Sequence, residues 1–511
     1  MNANLYALLR SRFPQDPSFT ALETSSGSIY SYAQLSEMTS RYAGYIRKLG
    51  VVPGDRIAVQ VEKSPEAVFL YLACLQSGAV FLPLNSAYQQ GEVDYFLGDA
   101  TPKVVVHQPK NDTWMITLCD KHRIAHRFTL TEDHSAQIEQ GRHSWHENAS
   151  KTLPMLEVGH READDLAAIL YTSGTTGRSK GAMITHRNLS SNALTLHTYW
   201  GFKPGDVLLH ALPIFHVHGL FVACHTALLN GSKIIFHSKF DAKAALAALP
   251  HATVFMGVPT MYVKLLAEPS FSKQTCATIR LFISGSAPLL AETFHAFFQR
   301  TGHTILERYG MTETGMITSN PLDGERRGGT VGLPLPGVAL RVTDDAGRAC
   351  VAGDIGELQV KGENVLPGYW QMPDKNKEEF TADGYFKTGD MGKIDADGYV
   401  TIVGRSKDLV ISGGYNVYPK EIEMLLDEVA GVAESAVIGL PHPDFGEAVA
   451  AVIVKKSAAA LVEADVVGAL KGKLAAFKLP KRVFVVEDLP RNAMGKVQKN
   501  ELRKRYADTF K

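Results

Sequence analysis

With 511 residues, 45% of them hydrophobic and 21% charged, the chain has the composition of an ordinary folded protein and the length of roughly two to four compact units. Lys plus Arg and Asp plus Glu both number 53, so net charge gives no electrostatic ground for a nucleic-acid partner or a membrane surface. No stretch reaches the ~18 apolar residues that span a bilayer, and the N-terminus MNANLYALLRSRFPQD has no long apolar leader.

The five cysteines, Cys74, Cys119, Cys224, Cys276 and Cys350, lack CxxC spacing, which argues against a zinc site or a disulfide framework. A cytoplasmic location is the expectation. The lack of acidic residues before Asp16 leaves a transit peptide as the alternative.

Early in the chain DRIAVQVEKS and PEAVFLYLACLQSGAV read as strand and helix of a companion α/β layer. From about Asp164 to Glu313 the apolar runs LAAILYTSG, DVLLHALPI, SKIIFHSK, ATVFMGVPT and IRLFISGSAPL alternate with helical patterns such as LAETFHAFFQR. Strand then helix, repeated, predicts a mostly parallel sheet covered on both faces. After Gly328, strands punctuated by glycine and proline predict a small, barrel-like β unit. From Gly404 onward YPKEIEMLLDEV, ESAVIGLPH, EAVAAVIVKK, ADVVGALKGKLAAF and RVFVVEDLP predict a small α+β domain of roughly 100 residues. The fold class is therefore α/β, with a large N-terminal domain over 1–404 and a second domain over 405–511. Between Lys471 and Lys511 twelve Lys or Arg stand against four Asp or Glu, a surplus able to hold an anion.

One stretch carries most of the chemistry. LYTSGTTGRSKGA, Leu170 to Ala182, follows the strand-like LAAILY and precedes THRNLSSNALTLHTYW, where Thr185 can cap a helix. A loop at such a strand-to-helix junction presents backbone N–H groups and hydroxyl donors together, and Arg178 and Lys180 add positive charge, which suits a polyphosphate. Glycine lets the main chain approach an anion without a Cβ in the way. The plain alternative is a hydroxylated surface turn. The P-loop pattern G-x-x-x-x-G-K-[ST] does not fit, because Gly177 lies three residues before Lys180 and Gly181 follows it.

YTSGTTGRSKG resembles the phosphate-binding signature of the adenylate-forming superfamily of acyl-CoA synthetases, peptide-synthetase adenylation domains and firefly-type luciferases. Four further stretches follow in that family's order: ERYGMTET at Glu307 to Thr314, YFKTGD at Tyr385 to Asp390, GRSKDLVISGGYNVYPKEIE from Gly404, and RNAMGKVQK at Arg491 to Lys499. The resemblance implies a two-step reaction, in which a carboxylate attacks the α-phosphate of ATP and the thiol of coenzyme A then displaces AMP. It implies ATP contacts from Thr172, Ser173, Gly174, Thr175, Thr176, Gly177 and Lys180, from Ser284, Gly285, Ser286 and Ala287, and from Glu307, Arg308, Tyr309 and Gly310. Tyr309 would pack on the adenine, and Asp390 with Arg405 would hold the ribose.

The catalytic set implied is Lys496, Glu313 and Thr312. Thr312 contacts the α-phosphate, Glu313 with Thr176 holds Mg²⁺, and Lys496 bridges the attacking carboxylate and the phosphate as a point charge. Lys407 is the implied hinge of a mobile C-terminal domain, and Ser412, Gly413 and Gly414 border the path of coenzyme A. Each motif has a plain alternative: a helix cap for Glu313, a β-turn for Asp390, a solvated side chain for Lys496, an ordinary turn for the two glycines. SGSAP is not the G-x-S-x-G of a hydrolase nucleophile.

Over nearly the full chain the wording, including LPIFHVHGL, FISGSAPLL and PRNAMGKVQKN, is most similar to malonyl-CoA synthetases. This implies malonate as the acid, with methylmalonate alongside. The second carboxylate of a diacid cannot be buried unpaired, so the pocket needs a cation or several donors. Arg280 at the start of RLFISG is the candidate clamp, able to grip a carboxylate with two parallel hydrogen bonds. His216, His218, Ser286 and Met311 complete the candidate lining.

The alternatives are a short- or medium-chain monocarboxylate acyl-CoA synthetase, a luciferase-like monooxygenase, and a non-catalytic acyl-AMP-binding protein. Competent residues at Lys496 and Glu313 speak against the last. A lysine acetyltransferase and deacetylase acting on Lys496 are a further partner expectation, because acetylation would remove its charge.

Overall fold

Short runs of Val, Ile and Leu bounded by turns fold as strands buried on both faces, as in Val104–His107 and Leu281–Ser284. The structure is a computed structural model and describes residues 2–131, 144–172, 179–412, 415–456, 461–471 and 473–510. A six-stranded sheet runs in the order His126–Thr129, Val104–His107, Arg56–Gln60, Val80–Pro83, Leu166–Thr172, Lys180–Thr185, parallel except for the last pair. In the nine-stranded sheet six central strands are parallel: Leu306–Met311, Leu281–Ser284, Val254–Gly257, Val207–His210, Lys233–Phe236 and Thr20–Thr24. Antiparallel strands close both edges.

The helix Pro65–Ser77 is buried along its whole length, opened by Ser64 as cap with proline at the first position and closed by Gly78 at φ 81°. Thr185 and Asn188 form a capping box that starts the helix His186–Tyr199, as the sequence predicts.

The glycine-rich stretch differs from its expected setting. Lys180–Thr185 is a strand antiparallel to Leu166–Thr172, with Thr172 opposite Lys180, so the loop joins two strands of a hairpin and not a strand to a helix. What makes KGAMIT a strand is non-local: Trp370 N donates to Gly181 O and Met183 N to Gly368 O, so its second edge is paired from almost 190 residues away. Ser173, Gly174, Thr175, Thr176, Gly177 and Arg178 lie outside the described residues.

The expected β unit is a four-stranded antiparallel sheet of Ala339–Thr343, Gly356–Lys361, Phe386–Ile394 and Val400–Arg405. Beyond it, the long hairpin of Val432–His442 and Gly446–Lys455 carries Arg482–Val486 as a parallel neighbour. Ile422, Leu426, Val437, Val449 and Ile453 form a separate core there. The molecule is thus α/β with an α+β C-terminal region. Among the described residues no helix is long and apolar enough to cross a membrane, and the five cysteines are free.

Candidate active site

In a parallel sheet, ligands bind outside the carboxyl ends of the strands, where loops diverge and helix N-termini converge. At that end of the nine-stranded sheet, Ser284 leads into Gly285 and Ser286, and Ser286 adopts the left-handed conformation at φ 71°. Its Oγ lies 3.2 Å from His218 Nδ1, and His218 N donates to His216 Nδ1 at 3.2 Å. Arg308 crosses beneath them from the neighbouring strand. A Cβ on Gly285 would stand 2.4 Å from the guanidinium carbon, so only glycine admits the arginine here.

Arg308 is 2% exposed, and its Nε and Nη2 have no hydrogen-bond partner within the protein. Burial pushes its pKa down to about 9 against the opposing influence of Tyr262 and Glu307. Burial, aided by Arg308, holds His216 near 4 and His218 well below the ordinary histidine value. This cluster therefore pairs one under-satisfied cation with two neutral imidazoles. Glu307 takes up Leu289 N at 3.0 Å on the other side of the strand, and burial raises its carboxyl to about 8.

Arg280, the expected clamp, is elsewhere. Its Nε donates to Asp206 Oδ1 at 2.8 Å and its Nη2 to Asp206 Oδ2 at 2.5 Å, while Nη1 reaches Trp200 O at 3.3 Å. It precedes the strand Leu281–Ser284, and four residues of strand place it about 13 Å from the pocket end. The correction is one of polarity: Arg280 stands at the amino end of a strand whose carboxyl end carries the site. Arg308, grouped from sequence with the nucleotide contacts, is the buried arginine that faces His216, His218 and Tyr262. Met311 is half-buried against the main core.

The residues expected to meet the nucleotide stand in pairs. Asp390 sits opposite Arg405 in adjacent strands and is nearly buried, accepting Arg405 Nε at 2.7 Å and the Tyr309 hydroxyl. It is a strand residue, not a β-turn aspartate. Glu313 is buried, and its Oε1 accepts from Tyr369 Oη at 3.0 Å and Thr172 Oγ1 at 3.3 Å. A turn at Thr312 and Thr314 leads from there into the strand Gly315–Ser319, so Glu313 caps no helix. Ser284 Oγ is buried with no partner, while Ala287 is half-buried. Gly310 packs so tightly that a Cβ would stand 2.1 Å from Gly315 O.

Lys180 pairs with Glu379 at 3.1 Å and lies 4.1 Å from the Tyr369 ring centre. Among the described residues no three metal-ligating side chains come together. A lone buried carboxylate such as Glu313 fits a cation that takes most of its oxygens from ligand and water.

Lys496 rides on a turn from the C-terminal region. Asn492 Oδ1 accepts both Met494 N and Lys496 N at 3.0 Å, and Arg491, paired with Glu434, donates to Gly495 O at 2.7 Å. Gly495 passes close to Thr260, and Met494, 4% exposed, packs into the apolar core of the large N-terminal body. Lys456 and Glu292 pair across the same junction at 2.9 Å. Lys496 keeps solvent access, yet protein atoms surround its ammonium closely enough to desolvate it. Desolvation and then the Arg405 charge lower its ammonium to about 8, against the pull of Asp390.

Lys407 is exposed on the turn Ser406–Asp408, whose Asp408 pairs with Arg503 at 2.7 Å. Ser412 is buried, and Gly413 and Gly414 lie outside the described residues. Sequence reasoning missed Asp206, Tyr369 and Glu379, which sit 74, 56 and 199 positions from their partners, Arg280, Glu313 and Lys180, with no local signal to join them.

The AMP-binding enzyme family matches residues 9–370, and the AMP-binding enzyme C-terminal domain matches residues 421–496. A malonate–CoA ligase of Arabidopsis thaliana is 37% identical over 497 residues, spanning 91% of this chain and 80% of that protein. The crystal structure of ATP-bound MatB from Rhodopseudomonas palustris is 54% identical, covers 100% of both chains and superposes with a TM-score of 0.96. The apo form of MatB, 53% identical with the same coverage, superposes at 0.84.

Proposed function

The chain belongs to the AMP-binding enzyme family, and within it we propose an AMP-forming malonate–CoA ligase, which joins malonate to coenzyme A at the expense of ATP through malonyl-AMP. The observation that carries the choice of acid is Arg308: a buried guanidinium with two unsatisfied donor nitrogens, beside neutral His216 and His218 and the Ser286 hydroxyl. A carboxylate entering there would satisfy both nitrogens in one bidentate contact. A monocarboxylic acid would leave the arginine as it is, buried and short of partners.

A carboxylate is a poor acylating agent until its oxygen becomes part of a good leaving group. The protein's work is to align the attack and neutralise charge on phosphate. In this reading Arg308, His218 and Ser286 hold the distal carboxylate, leaving the other to face the α-phosphate. Asp390, kept in place by Arg405 and Tyr309, accepts the ribose hydroxyls, and the glycine-rich loop with Lys180 and Thr172 cradles the phosphates. Thr312 faces the α-phosphate. Lys496, delivered from the C-terminal region, stabilises the oxyanions as they develop.

Glu313 would hold Mg²⁺, which neutralises phosphate charge when bound. Residues 1–404 then act as one body and 405–511 as a second that reorients about Lys407, bringing Ser412, Gly413 and Gly414 to the path of coenzyme A. Acetylation of Lys496 would silence the first step by removing its charge.

Pyrophosphate exchange with malonate, methylmalonate, succinate, acetate and butyrate tests the reading. Malonate supports the fastest exchange. Butyrate outcompeting malonate would instead establish a monocarboxylate ligase.

A further inference from the structure

Lys63 is a buried lysine that no step above uses. It lies between the strand Arg56–Gln60 and the cap of the helix Pro65–Ser77, is 6% exposed, and reaches from the six-stranded sheet into the nine-stranded one. Its Nζ lies 2.7 Å from His210 Nδ1, 3.0 Å from His210 O and 2.5 Å from His237 O, and 4.2 Å from the centre of the Phe236 ring. His210 and His237 mark the carboxyl ends of adjacent parallel strands, the end that carries the site.

The proton positions follow from the partners. His210 Nε2 lies 2.8 Å from Gly219 O, and a carbonyl only accepts, so Nε2 carries the imidazole proton; Cys224 Sγ is a weaker neighbour at 3.5 Å. Burial and the Lys63 charge keep this histidine neutral. Its Nδ1 is therefore bare and must accept. Lys63 then needs three hydrogens, one for Nδ1 and two for the carbonyls, which only the ammonium provides. Gly219 has no slack: a Cβ there would stand 2.1 Å from Pro213 O. It directly follows His218, whose Nδ1 faces Ser286 Oγ, and Leu220 N closes the turn onto His216 O at 3.0 Å.

We propose that Lys63 is a positioning residue for the acid pocket: acting through His210, it anchors the Gly219 carbonyl and so holds His216 and His218 in place beside Ser286 and Arg308. The proposal rests on the reading that this pocket takes the acid. Its cation never touches substrate. It sets one imidazole's tautomer, and that imidazole sets the backbone turn carrying the pocket's two histidines.

The test is pyrophosphate exchange by the full-length protein, reading KM for malonate and for ATP separately in three variants. Lys63→Met keeps the stem and removes the donors. His210→Leu removes the relay, whereas His210→Gln keeps an acceptor for Lys63 and a donor for Gly219 O.

Lys63→Met and His210→Leu raise the malonate KM by about tenfold or more while the ATP KM stays within about twofold, and His210→Gln stays within about threefold of the parent for both. A malonate KM unchanged in Lys63→Met overturns the proposal. So does a parallel rise of both KM values, or equal damage from His210→Gln and His210→Leu. Should Lys63→Met fail to fold, the two His210 variants decide. If the unaltered protein exchanges only with a different acid, the malonate reading falls, and the same ratio is read with that acid.

Discussion

Arg308 and Lys496 present positive charge in opposite settings. Arg308 is fixed in a strand, sealed from water and missing partners before any ligand arrives. Lys496 stands on a turn organised by Asn492 and Arg491 and keeps solvent access, and its neighbours Met494 and Gly495 touch the large body. On the proposed function, the difference would separate recognition from chemistry. A buried, unsatisfied guanidinium discriminates because leaving it unpaired is costly, while an ammonium on a separable segment can be present for one step and absent for the next.

The sharpest way to break this contrast is Lys496→Ala. We expect acyl-AMP formation to fall by about 10³-fold, the scale of losing an electrostatic stabiliser of the transition state, while conversion of supplied malonyl-AMP to thioester persists. Equal loss of both half-reactions, measured separately, would erase the distinction between the two cations.

Arg308→Met attacks the other side. Truncating one partner of a desolvated charge pair typically costs about 2–5 kcal/mol, so the malonate KM should rise by about thirtyfold or more with ATP binding little changed. The ligand-free variant should also melt higher than the parent, because a buried charge without partners has been replaced by an apolar side chain. A lower melting temperature with an unchanged malonate KM would mean the arginine is structural.

Arg280→Ala sharpens the comparison by showing the smallest functional effect. Asp206, 1% exposed, would lose its partner, so thermal unfolding should report a loss of about 3 kcal/mol. The malonate KM should stay within about twofold, because the pair sits at the far end of its strand. A malonate-specific defect would restore Arg280 to the pocket.

These outcomes bear on what the residue string could reveal. Runs such as VVVH and LFIS announce buried parallel strands, and Thr185 followed by Asn188 announces a helix start, because those signals lie within a few positions of each other. The strand Lys180–Thr185 was not legible, since its pairing with residues 368–370 is supplied by a distant part of the chain. The setting of Arg280 was hidden for a related reason. Arg280 and Arg308 are both arginines in or beside apolar strands, and which one lies beside His216 and His218 depends on strand direction and on the space left by Gly285, neither of which is visible locally. Asp390 and Lys496 were placed by motif order alone. The ion pair of Asp390 with Arg405 depends on strand register, and the Lys496 environment on how two separate cores meet.

Met494 gives that meeting a thermodynamic bias. Any swing of the C-terminal region that withdraws the lysine also drags this thioether out of its apolar socket and into water. Exposing a side chain of that size costs about 1.5–3 kcal/mol, a population ratio of roughly ten- to a hundredfold. On the proposed function, this contact favours the arrangement that brings Lys496 to the large body, and any step that moves the C-terminal region away would have to supply the difference.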